Sequence, residues 1–304
     1  MVKVIICGIV QNVEKKIIYN LENVKNLGKF FTDYRVVIYE NNSTDNTKKI
    51  LSNNSDDKIK IIMENIDIKK KNSTIWAYTK ITGSDHSCRI ENICKARNKV
   101  IEEINKEIYK DFDIVIWIDL DGNGFDLESI VESVNIVFNQ NIILFANSPQ
   151  YYDYYALRTI NINHLFGPEI IGELFWNRLN IISRSFNNLL SNQNGKLYEV
   201  LSAFNGIGIY PKKIFLNKKY DFIVNEDIKD IYRKNIAQNN VINFDKLIEN
   251  DCTKFPGGII DNNIVWKNNS GYDKPVVCEH VALNFSLIRD GYKLYINPNM
   301  IYYR

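Results

Sequence analysis

Ile114-Val115-Ile116-Trp117-Ile118-Asp119-Leu120-Asp121-Gly122 is the stretch around which the chain is organised. Its run of apolar residues predicts a strand buried on both faces, as in a parallel sheet. The strand runs into two carboxylates one residue apart, then a glycine. In open α/β sheets ligands bind beyond the carboxyl ends of the strands, so Asp119 and Asp121 are expected over a crevice. An Asp-x-Asp in that place suits a hard divalent cation, held through oxygen and itself holding phosphates. The plainer alternative is a turn, because Asp and Gly commonly follow strands.

Outward from this stretch, strands alternate with helices. Residues 2–10 read as strand one. Residues 13–31 read as a helix, with Ile17, Leu21, Val24 and Leu27 at spacings of three and four. Strand two is expected at 34–40, then a helix to about Leu51 capped by Ser43, Thr44 or Asp45, then strand three at 58–63. Residues 65–83 are irregular and contain Trp76 and Tyr78. A long helix capped by Ser84 or Asp85 should run to about Tyr109. After the central strand come a helix at 127–138 and a strand at 142–146. This alternation predicts an α/β fold: a mostly parallel central sheet with right-handed crossovers, flanked by helices.

The C-terminal half is more irregular. It opens with the aromatic cluster Tyr151-Tyr152-Asp153-Tyr154-Tyr155. Residues 170–190 read as helical, and 197–210 as two short strands broken at Asn205-Gly206. Residues 212–274, rich in Asn, Lys and Asp, read as a mixed excursion. A strand at 275–278 should end at Glu279-His280, with a helix at 281–289 and a closing strand at 293–296.

At 304 residues and 45% hydrophobic, the chain is long enough for one large α/β domain. It shows no Gly/Pro/Ser-rich linker and no repeat, so residues 1–304 are expected as a single domain. Its net charge of +2, with Lys and Arg dispersed, gives no case for nucleic acid. The five cysteines are an odd number without a C-x-x-C pair, which predicts buried free thiols and a reducing compartment. Residues 2–10 are too short to span a bilayer and lack a basic leader and cleavage site. A cytoplasmic protein without a signal peptide or membrane span is the expectation.

Three further features carry chemistry. Arg97 interrupts the apolar row Ile90, Ile93/Cys94, Val100/Ile101, Ile104 and Ile108 of the long helix. A guanidinium buried there needs an anionic partner, either a core carboxylate or a bound pyrophosphate. Arg89 lies on roughly the same side. Glu40 ends strand two at the crevice mouth, either as an exposed acid or as an acceptor for a ribose or base. Glu279-His280 offers a carboxylate and an imidazole side by side, as helix cap or as general base and metal ligand. The chain has no G-x-x-x-x-G-K-[ST] and no G-x-G-x-x-G after strand one, which argues against P-loop and dinucleotide folds.

Together these motifs resemble the glycosyltransferases of the GT-A fold. Val37-Ile38-Tyr39-Glu40-Asn41-Asn42-Ser43-Thr44-Asp45 is similar to the strand whose acid contacts the nucleoside, with Asn41 where many members have a second Asp. Asp119-Leu120-Asp121 is similar to the metal-binding D-x-D. Phe204-Asn205-Gly206 and Glu279-His280-Val281 are similar to the acceptor-side glycine turn and the following acidic motif. Within the fold, Arg89-Ile90, Arg97-Asn98, Tyr154-Tyr155-Ala156-Leu157-Arg158 and Cys278-Glu279-His280-Val281 most resemble the capsule-associated mannosyltransferase type. His280 stands where many inverting relatives have the Asp base.

The resemblance implies a metal-dependent transfer of a sugar from a nucleoside diphosphate donor, a UDP- or GDP-sugar, to a hydroxyl of a glycan or protein-linked acceptor. Residues 1–125 would bind the nucleotide sugar and 126–304 the acceptor. Asn12, Glu40, Asp45, Arg89, Arg97, Asn98 and Asp119 would line the donor site. Tyr155, Arg158, Asn205 and Gly206 would line the acceptor side. Asp119, Asp121 and His280 would hold Mn²⁺ or Mg²⁺, with Glu279 and His280 sharing the base and metal roles in an order left open. The rival readings are a nucleotidyltransferase that makes nucleotide sugars and a catalytically inactive sugar-binding module.

Overall fold

The structure is a computed structural model that describes residues 2–66, 70–71, 86–87, 89–239, 258–260, 263–266 and 275–304. The first half is β1 (Lys3–Val10), α1 (Glu14–Gly28), β2 (Asp33–Asn41), α2 (Thr47–Asn53) and β3 (Ile59–Glu64), followed by the two-residue strands β4 (Lys70–Lys71) and β5 (His86–Ser87). Then come α3 (Arg89–Ile104), β6 (Ile114–Ile118), α4 (Leu127–Gln140) and β7 (Ile143–Asn147). The second half holds α5 (Pro168–Ile171), α6 (Glu173–Asn177), α7 (Leu179–Ser191), β8 (Tyr198–Val200), β9 (Ile207–Pro211) and α8 (Glu226–Gln238). It closes with β10 (Gly258–Ile260), β11 (Asn263–Val265), α9 (Glu279–Arg289) and β12 (Leu294–Ile301).

Eight strands form the main sheet in the order β3-β2-β1-β6-β9-β7-β12-β8. The pairs β1–β2, β2–β3, β1–β6 and β7–β12 are parallel, whereas β9 runs antiparallel to both β6 and β7, and β8 antiparallel to β12. The sheet is therefore mostly parallel, as the alternating pattern predicts. Chain order reverses between β1 and β6, and a ligand crevice forms at the carboxyl ends around such a switch point.

All of β6 is buried, and its alternate residues serve two cores. Val115 and Trp117 join Ile5, Cys7 and Val37 under Val100 and Ile104 of α3. Ile114, Ile116 and Ile118 join Val4, Ile6 and Ile38 under Ile17 and Leu21 of α1 and Ile130 and Val134 of α4. Helices on both faces explain why the strand reads as an unbroken apolar run.

Several stretches differ from expectation. The long helix ends at Ile104, and a 3₁₀ turn at Glu107–Tyr109 changes the phase, so Ile108 is 72% exposed instead of extending the apolar row. The proposed caps Ser84 and Asp85, and Trp76 and Tyr78, lie outside the described residues. The helix expected at 170–190 is three helices, the first stopped by Gly172 at φ +59°. Residues 275–278 are extended but are not a sheet strand. Among the described residues they bridge to 222–224, through Val224 N–H to the Pro275 carbonyl and Val277 N–H to the Phe222 carbonyl. Pro275 has no N–H to continue a ladder. Glu279 and His280 consequently occupy the first turn of α9, not a strand end. The last strand runs past the expected stop at 296 to Ile301, with a register shift between Ile296 and Ile301. Much of 212–274 lies outside the described residues, but α8 and the β10–β11 hairpin are within it.

Candidate active site

Beyond β6 the chain forms a tightly held loop. Asp119 N–H donates to the Gly206 carbonyl at 2.8 Å. Asn20 of α1 donates from Nδ2 to the carbonyls of Leu120 and Gly122 at 2.9 and 3.0 Å. Asp126 then caps α4, accepting from Ser129 N–H at 2.8 Å. The loop leaves the Asp119 side chain 31% exposed and Asp121 exposed.

Arg97 comes to the same place from α3. Its guanidinium carbon lies 4.9 Å from the Phe204 ring centre, 5.1 Å from Trp117 and 5.3 Å from Tyr220. Its Nη2 is 3.1 Å from His280 Nε2. The carboxylates stand further off: Glu279 Oε1 is 3.5 Å from Nε, and Asp119 Oδ1 is 3.9 Å from Nη2. Nε itself has no hydrogen-bond partner. The anionic partner required by the interrupted apolar row is thus a pair of acids, one of them, Glu279, deeply buried.

His280 stacks on Phe204 with ring centres 3.9 Å apart and meets the edge of Tyr220 at 5.6 Å. Burial and the Arg97 guanidinium hold its imidazole well below the ordinary range, so the ring is neutral. Its 3.5 Å approach to Glu279 Oε1 is therefore a polar contact and not an ion pair. The expected metal-ligand role for His280 meets an obstacle here, because the ring nitrogen Nε2 faces a guanidinium and Nδ1 is buried without a partner.

Electrostatics tie further acids to the site. Burial pushes the Asp119 carboxyl up from 3.8 to about 7; Arg97 opposes this, and Asp121, Asp153 and Glu279 add to it. Burial also raises Asp153, with Glu279 next in effect. Asp153 is the acid that sequence reasoning missed, since it sits inside a tyrosine cluster that reads as packing. Its carboxylate accepts from Ala156 N–H and Asn205 N–H, both at 3.3 Å. Among the described residues no three His, Cys, Asp or Glu side chains converge as a ready metal cage.

The other expected site residues divide into two groups. Glu40 is fully buried; Oε1 accepts from Ser43 N–H at 2.8 Å, and Oε2 has no partner. Asn12, at φ +55°, accepts from Thr44 N–H at 2.8 Å, so it shares one loop lattice with Glu40. Arg89 is exposed at the start of α3. Tyr155 is half-buried, its ring 5.9 Å from Trp176. The remainder are engaged in structure. Asp45 spends its oxygens on the N–H groups of Glu14 and Thr47. The Asn98 amide bonds the Tyr220 backbone in both directions, at 2.9 and 2.8 Å. Arg158, expected on the acceptor side, is wholly buried in a bidentate pair with Glu169, both nitrogen–oxygen contacts of Nη2 being 2.8 Å. Buried Asn205, at φ +55°, accepts from the N–H groups of Tyr152 and Asp153, and Gly206 completes the turn at φ +88°. These two shape the acid-bearing loops.

No described helix is long and apolar enough to cross a membrane. Cys7, Cys94 and Cys278 are free and buried, as expected of them.

Comparison with known proteins adds a family. A family model described as cryptococcal mannosyltransferase 1 matches residues 3–240. No curated protein matches the sequence. Among solved structures, S. aureus TarS 1-349 in complex with UDP-GlcNAc is 12% identical over 100% of this chain and 58% of that one, at a TM-score of 0.40. Mannosyltransferase PcManGT from Pyrobaculum calidifontis, in complex with GDP-Man and Mn²⁺, is 12% identical over 72% and 47%, at 0.42. M. tuberculosis glucosyl-3-phosphoglycerate synthase with Mn²⁺, UDP and phosphoglyceric acid is 13% identical over 70% and 56%, at 0.35. The chain spans about half the length of these structures.

Proposed function

We propose that this chain, which belongs to the cryptococcal mannosyltransferase 1 family, transfers a sugar from a nucleoside diphosphate donor to a hydroxyl of a glycan or other acceptor. The observation that carries the reading is the acid cluster around Asp119 at the carboxyl end of β6. Several carboxylates and one arginine lie near one another at the carboxyl end of β6, beside the switch point between β1 and β6, where ligands of open α/β sheets bind.

A divalent cation fits this donor set. Asp119 and Asp121 offer hard oxygens, and Mg²⁺ in particular is commonly held by one or two carboxylates with phosphate oxygens completing the shell. Burial, with the neighbouring acids adding to it, raises Asp119 and disfavours its bare charge, which a bound cation would relieve. When bound, Mn²⁺ or Mg²⁺ would supply charge stabilisation for a diphosphate leaving group. The chain's own residues do the rest. Arg97 meets the anionic donor from the buried side. Glu40, with its free Oε2, and Asn12 receive the nucleoside. Glu279 or Asp153 accepts the proton of the acceptor hydroxyl, and burial makes Asp153 more basic than an ordinary carboxylate. Tyr155 lines the acceptor side.

The deciding experiment is a panel of nucleotide sugars, GDP-mannose first, with donor hydrolysis read in Mn²⁺ and in chelator. Hydrolysis of one donor, abolished by chelation, is the expected result. Stabilisation by nucleoside triphosphates with no response to any sugar nucleotide would overturn it in favour of a nucleotidyltransferase. Silence towards all nucleotides would favour a sugar-binding module.

A further inference from the structure

Arg97 lies among acids, yet its hydrogen bond goes to a neutral ring. Three aromatic rings surround it, their centres 4.9, 5.1 and 5.3 Å from the guanidinium carbon. In the plane, Nη2 donates to His280 Nε2 at 3.1 Å, while the Glu279 and Asp119 oxygens stay at 3.5 and 3.9 Å and Nε is unbonded. A guanidinium can only donate, so His280 must accept at Nε2 and carry its proton on Nδ1. That N–H is buried and unpartnered, an arrangement rare enough to need a reason. The ring is fixed from the other sides by its stack on Phe204 and the edge of Tyr220.

We propose that His280 is a positioning residue: a neutral hydrogen-bond acceptor that aims the Arg97 guanidinium without neutralising it. A carboxylate in the same place would orient Arg97 equally well but cancel its charge. An imidazole adds no further negative charge to the Glu279 and Asp119 carboxylates already beside Arg97, so the site repels an anionic ligand less. The identity of that ligand as a donor diphosphate rests on the function proposed above; the His280–Arg97 linkage does not.

Two variants separate acceptor from packing. His280→Gln keeps an acceptor oxygen at a comparable reach, and His280→Phe keeps a ring over Phe204 but accepts nothing. His280→Phe should lower donor kcat/KM about 10- to 100-fold, the loss expected for a hydrogen bond to a charged group. His280→Gln should recover most of it, and neither should change the Mn²⁺ concentration giving half-maximal rate. A raised Mn²⁺ requirement in both would make His280 a metal ligand, and wild-type rates in both would remove it from the site; either overturns the proposal. Nitrogen NMR of histidine-labelled wild-type protein reads the tautomer without any donor and without a variant; only the dependence on Arg97 calls for one. The expected spectrum has His280 neutral with its proton on Nδ1 across the physiological range, changing in Arg97→Lys. A proton on Nε2, or an imidazolium, overturns the proposal. If no nucleotide sugar is hydrolysed while the tautomer is as expected, the transfer reading fails and the positioning role stands.

Discussion

The phenol of Tyr302 donates a hydrogen bond to the backbone carbonyl of Asp119, 3.0 Å away, from a residue 183 positions later in the chain. The ring fits only because its neighbours are glycines. A Cβ on Gly122 would overlap the phenol, and one on Gly206 would overlap the same ring. The final strand thereby clamps the acid loop from below while Asn20 holds it from α1.

Tyr302→Phe should leave the Asp119 carbonyl without its donor. The expected cost is about 1 kcal/mol of stability in urea unfolding, together with weaker Mn²⁺-dependent nucleotide binding. Unchanged binding and stability would show that the loop does not depend on the clamp.

Asp121 is exposed, so its replacement should spare the fold. Asp121→Ala is expected to change stability by less than about 0.5 kcal/mol and to lower metal-dependent turnover by roughly 100-fold or more. Wild-type activity at limiting Mn²⁺ would remove Asp121 from the metal site.

Arg97→Leu restores the apolar row of α3 but strands Glu279, whose side chain is 6% exposed. Breaking such a buried pair from one side typically costs about 3–5 kcal/mol, so a large fall in Tm is expected. A fall of less than about 1 kcal/mol would mean that Glu279 protonates or reaches water when Arg97 is gone.

Asp119 makes stability depend on pH. With its carboxyl raised from 3.8 to about 7, the folded chain holds a proton in that window which the unfolded chain has released. Its contribution to stability is therefore full below the lower value and is lost as pH rises through the window. In chelator, Asp119→Asn should raise Tm relative to wild type near pH 8, where the partly buried charge is present, and do so far less near about pH 4. Equal effects at both pH values would contradict the raised carboxyl.

Arg158 and Glu169 test the opposite case, a wholly buried pair closed by a bidentate carboxylate. Glu169→Gln keeps the shape but leaves Arg158 unpaired at 0% exposure, and Tyr232, which bonds both, loses a charged acceptor. A loss of about 3–5 kcal/mol is expected, with donor KM unchanged at temperatures where the variant is folded. A selective rise in acceptor KM would return Arg158 to the acceptor pocket.

Local pattern by itself determined the strands and helices of the first half, the Asp-x-Asp at the end of β6, and the need for an acid beside Arg97. These follow from periodicity and from the cost of an unpaired buried charge, which act through neighbours in sequence or through a whole helix face. The tertiary structure alone decided which acids meet Arg97. It brought Glu279 and Asp153 to β6, made His280 an acceptor in an aromatic stack, and removed Arg158, Asn98 and Asp45 into structural bonds. It also carried the last strand past Asn297 to place Tyr302 under Asp119. The arginines at 97 and 158 are both buried beside carboxylates, but not alike. One is paired at 2.8 Å by a bidentate carboxylate, whereas the other is left with acids at 3.5 and 3.9 Å. The difference lies in which elements pack across the sheet, and contacts between residues so far apart in the chain leave no periodic trace in the sequence.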